Sequence, residues 1–310
     1  MGNSRGASRL KQRFQSLTLK GKEGRWLRRA LITVGVLIAA VILAKVLKPE
    51  TQLMNSVEIN RVVGKGMLSV AVRDDMPGFC EGGVGLEADL ALLLAKRLLP
   101  DSEDPLKLVP CSSKSITTKL QDGSADVAIA LQPKGASSKY SYSYPYYEDE
   151  VRLVTLNREA RLKSLPELVI GYLPDSASGS LFASYVKKLT AAPEQNIIGK
   201  ILGRPKPTQD PATAVTVNSV KYGSYDELLW ALRHGEIDAA VMAGAYVTKY
   251  FGSPASPSED YWLCDIEIGS LEYCVIASSD EPALTQIADM LIYEMQEDGS
   301  LKELVRKYVR

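Results

Sequence analysis

Two stretches of the chain repeat one arrangement of apolar and polar positions. LQDGSADVAIAL at Leu120–Leu131 returns 112 positions later as LRHGEIDAAVMA at Leu232–Ala243. In both, a leucine is followed by Gly123 or Gly235, then Asp126 or Asp238, then an apolar run. Ser112 and Ser224 stand equally far before the two leucines. The spacing predicts an N-cap, a short helix, a glycine stop and a strand, twice over. A serine hydroxyl accepts from the free donors of a first turn. A glycine takes the left-handed conformation that ends a helix, and a short apolar run has the length of a buried strand.

Periodicity elsewhere fits the same scheme. Leu68–Val72 and Leu106–Val109 read as early strands, and LEADLALLLAKRLL from Leu86 has helical apolar spacing. VRLVTL, after the tyrosine-rich KYSYSYPYY, reads as a strand leaving the first half, and Val169–Leu173 as the first strand of the second. DSASGS then precedes a helix carrying Leu181, Phe182, Tyr185 and Val186. Ala191–Thr213, rich in proline and glycine, reads as a surface loop. Two apolar runs around Cys264 and Cys274 and two helices, Glu281–Glu297 and Ser300–Tyr308, close the chain. The prediction is an α/β protein of two similar halves, which 310 residues suffice to build.

Charge divides the chain differently. The net charge is zero, yet nine basic residues face only Glu23 before residue 30, so the arm carries +8 and the remainder −8. An acidic remainder argues against nucleic-acid binding. Between them lies ALITVGVLIAAVILA, Ala30–Ala44, continued by Val46 and Leu47 around a Lys45 able to snorkel. A cleaved signal peptide and an uncleaved anchor both use such a stretch. The anchor is favoured by the long arm and by the lack of a compact small-residue cleavage site. The basic arm then stays in the cytoplasm, and the chain from about Lys48 lies outside the cell.

Outside the cell, the four cysteines meet an oxidising compartment. Cys80 and Cys111 follow two early strands whose loops neighbouring parallel pairing would bring together, so they are expected to bridge. Cys264 and Cys274 are the expected second pair. A metal site has little support, with no Cys-x-x-Cys and His234 the only histidine. Ser176, Ser178, Gly179 and Ser180 precede a helix and fit either an anion site or an ordinary cap.

The order of elements resembles the type 2 periplasmic solute-binding proteins, in particular the family-3 group serving polar amino-acid ABC transporters. The resemblance runs from about Val57 to Arg310 and is carried by VGLEADLALLLAKRL, LQDGSADVAIAL, YSYPYY, SLPELVIGYL, GEIDAAV and EDGSLKELVRKYV. It implies two α/β lobes joined by two hinge crossings, near Glu150–Leu156 and Tyr273–Ala277, that close on a small polar solute. The expected organisation is a basic cytoplasmic arm at 1–29, one transmembrane signal anchor at 30–47 and a linker at 48–56. Lobe 1 then takes 57–152 with 275–310, and lobe 2 takes 153–274.

The resemblance also implies a ligand set. Asp74, Asp75 and Phe79 are expected from the first loop, Ser112 and Ser113 from the second, and Gln132 to Ala136, with Lys134, from the third. Ser176 to Ser180 and Ala243 are expected from the other lobe. Blander roles stand beside these: Asp74 and Asp75 as turn residues, Phe79 as core, and Tyr142 to Tyr147 as a wall under the hinge. Two departures bear on the solute. Ala136 stands where amino-acid binders place a carboxylate-holding arginine, and Ala243, beside Gly244, where they place an ammonium-pairing aspartate. Each missing charge-assisted contact is worth about 1.5 to 3 kcal/mol. Lys134 or Lys139 are substitutes for the arginine, and Asp74 or Asp75 for the aspartate.

The resemblance implies no cofactor, and as partners an ABC permease and ATPase. A ligand-poor sensor or interaction module is the alternative. A dehydratase-like enzyme on the same fold needs a poised carboxylic acid, for which Glu148, Asp149 and Glu150 are the candidates, read here as solvated strand residues.

Overall fold

A computed structural model describes residues 53–190 and 216–309. The basic arm, the expected anchor at 30–47 and the loop expected at Ala191–Thr213 lie outside the described residues. Among the described residues no helix is long and apolar enough to cross a membrane. Val57–Arg310 form one compact unit.

That unit is built on one eight-stranded sheet. Its strands are β1 (Leu68–Val72), β4 (Leu106–Pro110), β5 (Val127–Pro133), β6 (Tyr140–Thr155), β7 (Val169–Tyr172), β8 (Asn218–Lys221), β9 (Ala239–Ala243) and β12 (Trp262–Ser278). Two small hairpins stand apart, β2 (Asp75–Met76) with β3 (Cys80–Glu81), and β10 (Gly252–Ser253) with β11 (Ser256–Pro257). The order across the sheet, β4-β1-β5-β12-β6-β9-β7-β8, is nearly symmetrical. Three parallel strands lie at each end, with β1 and β7 as their middles. β6 and β12 run antiparallel in the centre, β12 against β5 and β6 against β9.

The repeat explains the ends. In each copy the glycine takes positive φ, +73° at Gly123 and +70° at Gly235, and the helix stops there. The aspartate three residues on then ties two strands together. Asp126 N–H donates to Ser69 O at 2.8 Å while its carboxylate accepts from Ser69 N–H at 3.0 Å. Asp238 does the same to Val169, at 2.8 and 2.9 Å.

Eight described helices flank the strands: α1 (Val57–Lys65), α2 (Leu86–Leu98), α3 (Ile116–Gln121), α4 (Ala177–Thr190), α5 (Tyr225–Arg233), α6 (Gly244–Phe251), α7 (Pro282–Glu297) and α8 (Ser300–Tyr308). The apolar side of α2 is buried through Leu86, Leu90, Leu94 and Leu98. In the second half, Leu228, Leu229 and Leu232 of α5 pack with Ala240 and Met242 of β9 and Phe251 of α6. The caps differ from expectation in one copy. Ser224 caps α5, accepting from Glu227 N–H at 3.2 Å. In the first copy the residue before α3 is Ser115, and its hydroxyl turns back to Ser112 instead.

The cysteine pairing is corrected: all four carry free thiols. Cys264 and Cys274 lie ten residues apart on one strand, β12, which at about 3.3 Å per residue separates them by roughly 30 Å, far beyond disulfide reach. Cys80 is fixed opposite Met76 in the β2–β3 hairpin, its thiol 3.6 Å from Asp74 Oδ1. Cys111 points its own thiol at Val72 O, 3.4 Å away. Burial pushes Cys80 up to about 12 and both Cys264 and Cys274 up to about 11, so these three are thiols rather than thiolates.

Candidate functional site

β1 ends at Val72, and the next residue, Arg73, is only 7% exposed. A buried guanidinium requires partners for its donors. Its Nε donates to Asp75 Oδ1 at 2.8 Å and its Nη2 to Asp75 Oδ2 at 2.9 Å, a two-pronged grip on one carboxylate. Nη1 donates to Ser113 Oγ and, at 3.1 Å, to the Tyr246 hydroxyl. Nη2 also reaches Met76 Sδ at 3.5 Å. The guanidinium carbon sits 5.9 Å from the Tyr246 ring centre.

Tyr246 belongs to α6, in the second half of the molecule. From the same helix, Lys249 Nζ bonds Asp75 Oδ2. One carboxylate is thus held by a cation from each half. Hydrogen bonds from Arg73, and then from Lys249, hold the Asp75 carboxyl down at about 2 against the effect of its burial.

A tyrosine wall backs this cluster. Tyr225 stacks on Tyr246, ring centres 4.7 Å apart, and lies 5.3 Å from Tyr250. Ser178, 3% exposed, bonds Ser176 Oγ at 3.1 Å. Under the central strands, Tyr147 stacks on Tyr273 and meets Phe79 edge-on at 5.1 Å.

Two buried carboxyls frame the cluster. Asp149 is corrected from solvated to buried: Glu148 and Glu150 are exposed, but the alternation of β6 turns Asp149 inward, where it is 2% exposed. It accepts from Ala245 N–H and the Tyr273 hydroxyl, both at 3.1 Å, so it seats the first turn of α6. A Cβ at Gly244 would fall 2.6 Å from Asp149 Oδ1, so glycine gives the carboxylate its room. Burial pushes Asp149 up to about 6. Glu87, fully buried on α2, accepts from Leu131 N–H at 2.8 Å and from the Tyr146 hydroxyl. Its other oxygen has no partner among the described residues, and burial pushes it up to about 7.

Of the residues singled out from sequence, the structure brings Asp75 and Ser113 together on Arg73. Asp74 accepts from Gly83 N–H at 3.0 Å and supports the hairpin. Phe79 is 1% exposed, in its core-packing role. Ser112 is exposed and bonded to Ser115. Gln132 folds back on Ala130 O at 3.1 Å, and Lys134 and Ala136 are exposed beyond the end of β5.

Ser176 accepts from Gly179 N–H at 2.9 Å, which is the ordinary cap. A Cβ at Gly179 would meet Leu173 O at 1.8 Å, so this turn admits only glycine. Ser180 is exposed, and Ala243 is buried opposite Val151. Sequence reasoning missed Arg73, Tyr246 and Lys249. The signal for the first was a long cation directly after a strand predicted to be buried, with a carboxylate two residues on. Among the described residues no group of three or more His, Cys, Asp or Glu is placed to hold a metal ion.

Two α/β halves, spliced by two antiparallel strands and meeting at charged loop and helix ends, define a two-lobed binding-protein class. The profile of bacterial extracellular solute-binding proteins, family 3, matches residues 68–310, and the chain belongs to that family. Solved structures agree in fold. A substrate-binding protein of an amino-acid ABC transporter from Streptococcus pneumoniae, bound to L-arginine, is 20% identical, with a TM-score of 0.55 over 81% of this chain and 97% of its own. A mutant of ArgBP from T. maritima is 18% identical, with a TM-score of 0.55 over 81% and 98%. An ancestral amino-acid-binding protein, described as a precursor of cyclohexadienyl dehydratase, is 19% identical, with a TM-score of 0.54 over 81% and 99%.

Proposed function

We propose that this protein is a membrane-anchored extracellular receptor that closes its two lobes on a small polar solute and hands it to an ABC permease and its ATPase. The observation that carries this reading is the meeting of Arg73, at the carboxyl end of β1, with Tyr246 and Lys249 of α6 across the two halves. Ligands of open α/β sheets gather at the carboxyl ends of strands, and charged groups from both sides let closure and binding form one equilibrium. Membership of a solute-binding family supports the role, and the transporter titles of its structural relatives support the permease. The apolar stretch at 30–47 after a +8 arm supports an anchor with its amino terminus in the cytoplasm.

Thermal-shift and calorimetric titration of the purified full chain against amino acids, organic acids, oligopeptides and sugars tests the receptor. A saturable rise in melting temperature for one class is expected, because a ligand selective for the native state stabilises it. A flat response from a folded protein favours the ligand-poor sensor or interaction module instead. Protease shaving of intact cells tests the anchor, with cleavage outside and a protected arm expected.

A further inference from the structure

Arg73 has five N–H donors, and the contacts with Asp75, Ser113, Tyr246 and Met76 engage all of them. The guanidinium therefore has no donor left for an incoming group. What it holds most firmly is a carboxylate, gripped at two oxygens, with Lys249 on one of them. That is the arrangement a solute carboxylate would need to be captured from both lobes.

The two sides of the pair are not equally fixed. Arg73 is 7% exposed and wedged among Ser113, Met76 and the Tyr246 ring. The Asp75 side chain is 51% exposed and rides on a two-residue strand of the β2–β3 hairpin. Gly78, Gly82 and Gly83 of that hairpin take positive φ, a conformation glycine holds with little steric cost. Of the three groups the carboxylate is the most open to solvent, 51% against 22% for the Lys249 side chain. Asp74 is already bonded to Gly83 N–H, which keeps it from taking over.

Resting on the receptor reading above, we propose that Asp75 is a built-in competitor: it occupies the Arg73–Lys249 cation pair and latches the lobes, and a carboxylate-bearing solute binds by displacing it. The rings of Tyr246 and Tyr225 wall the pair, and the buried Asp149 lies behind them against Gly244. The apparent affinity of such a solute is reduced by the fraction of molecules in which Asp75 holds the cations.

Calorimetric titration of the full chain in detergent with succinate, benzoate and L-glutamate, and with L-argininamide and glucose as carboxylate-free controls, tests this. It is paired with amide exchange read at residues 244–251. Asp75→Asn is expected to bind at least one carboxylate tenfold or more tighter than the wild type, to exchange faster at 244–251 when empty, and to regain protection when filled. Lys249→Gln is expected to speed that exchange without tightening carboxylate binding, because Arg73 still grips Asp75. Carboxylates that bind Asp75→Asn no better than the wild type, while a carboxylate-free control binds both, overturn the competitor and leave the receptor standing. Weaker carboxylate binding by Asp75→Asn overturns it too, making Asp75 a solute contact. No binding of any probe by either protein overturns both readings.

Discussion

The two halves of the molecule make the same backbone ring and bury it to different depths. Asp126 exchanges two hydrogen bonds with Ser69, the second residue of β1, and Asp238 two with Val169, the first of β7. In the first half the aspartate side chain is 1% exposed and carries two cations, Lys65 Nζ at 3.0 Å and Arg61 at 3.3 Å. In the second it is 28% exposed and carries one, Lys163 at 3.4 Å. The repeat preserves what the backbone demands, a glycine stop and a strand stitch, and lets the energetics follow burial. The opposite strand ends, where the lobes meet, have diverged outright: β5 runs on towards exposed Lys134, while β9 turns at once into α6 over the buried Asp149.

Removing the two stitching aspartates should expose the difference most. Asp126→Ala leaves a buried Ser69 amide and two cations without their acceptor, and is expected to cost about 3 kcal/mol. Asp238→Ala, at a side chain 28% exposed, is expected to cost about 1 kcal/mol. Urea midpoints at unchanged slope measure both. Equal losses would mean that burial does not set the value of the stitch.

The buried carboxyls sharpen the contrast through pH. Glu87 has a native value of about 7 against 4.5 for the free group, so its neutral form is the one the fold favours. Its stabilisation is complete below about 4.5 and is lost as pH rises through about 7. The wild type is expected to weaken across that window by roughly 3 kcal/mol. Glu87→Gln should flatten it, leaving the declines that Asp149, between 3.8 and about 6, and Asp289, also raised by burial, contribute. Denaturation midpoints from pH 4 to 8 check this, and an unchanged slope in Glu87→Gln would show that the charge is placed elsewhere.

The glycine stops should behave alike, which is the counterpart of the aspartate contrast. Gly123 and Gly235 have φ of +73° and +70°, and a Cβ at either would meet nothing within 4 Å. Alanine there suffers only the backbone conformation, about 1 kcal/mol each. Matching losses are expected, and a large gap would point to strain in one turn only.

What the sequence disclosed follows from the range of each signal. The repeat, the strands and the helices α2, α7 and α8 rest on local periodicity and capping, which eight to sixteen residues carry by themselves. α6 was missed because GAYVTKYF follows the buried AAVMA with no polar break, so strand and helix read as one apolar run. β12 read as two runs because its register slips around Glu267 and Gly269. Arg73 was passed over because an arginine before two aspartates resembles a solvated turn. Its contact with Tyr246 comes from the crossing of α6 over β2, and no spacing along the chain encodes that contact.

The smallest expected effect concerns the caps, where the sequence offered equivalent serines and the structure uses them differently. Ser224 accepts from Glu227 N–H, and Asp226 and Glu227 add negative charge to the first turn of α5. Ser224→Ala therefore leaves one helix donor without its protein acceptor, a loss of about 1 kcal/mol. Ser112, three residues ahead of Ser115 and exposed, bonds only that neighbour's hydroxyl and backbone partners before α3 begins. Ser112→Ala keeps its backbone N–H and C=O, so the change should stay within about 0.5 kcal/mol, as for surface substitutions away from a cap. Paired urea titrations resolve the difference. If the two alanines cost the same, the hydroxyl at Ser112 does for α3 what Ser224 does for α5, and the halves are closer in their helix starts than their hydrogen bonds make them.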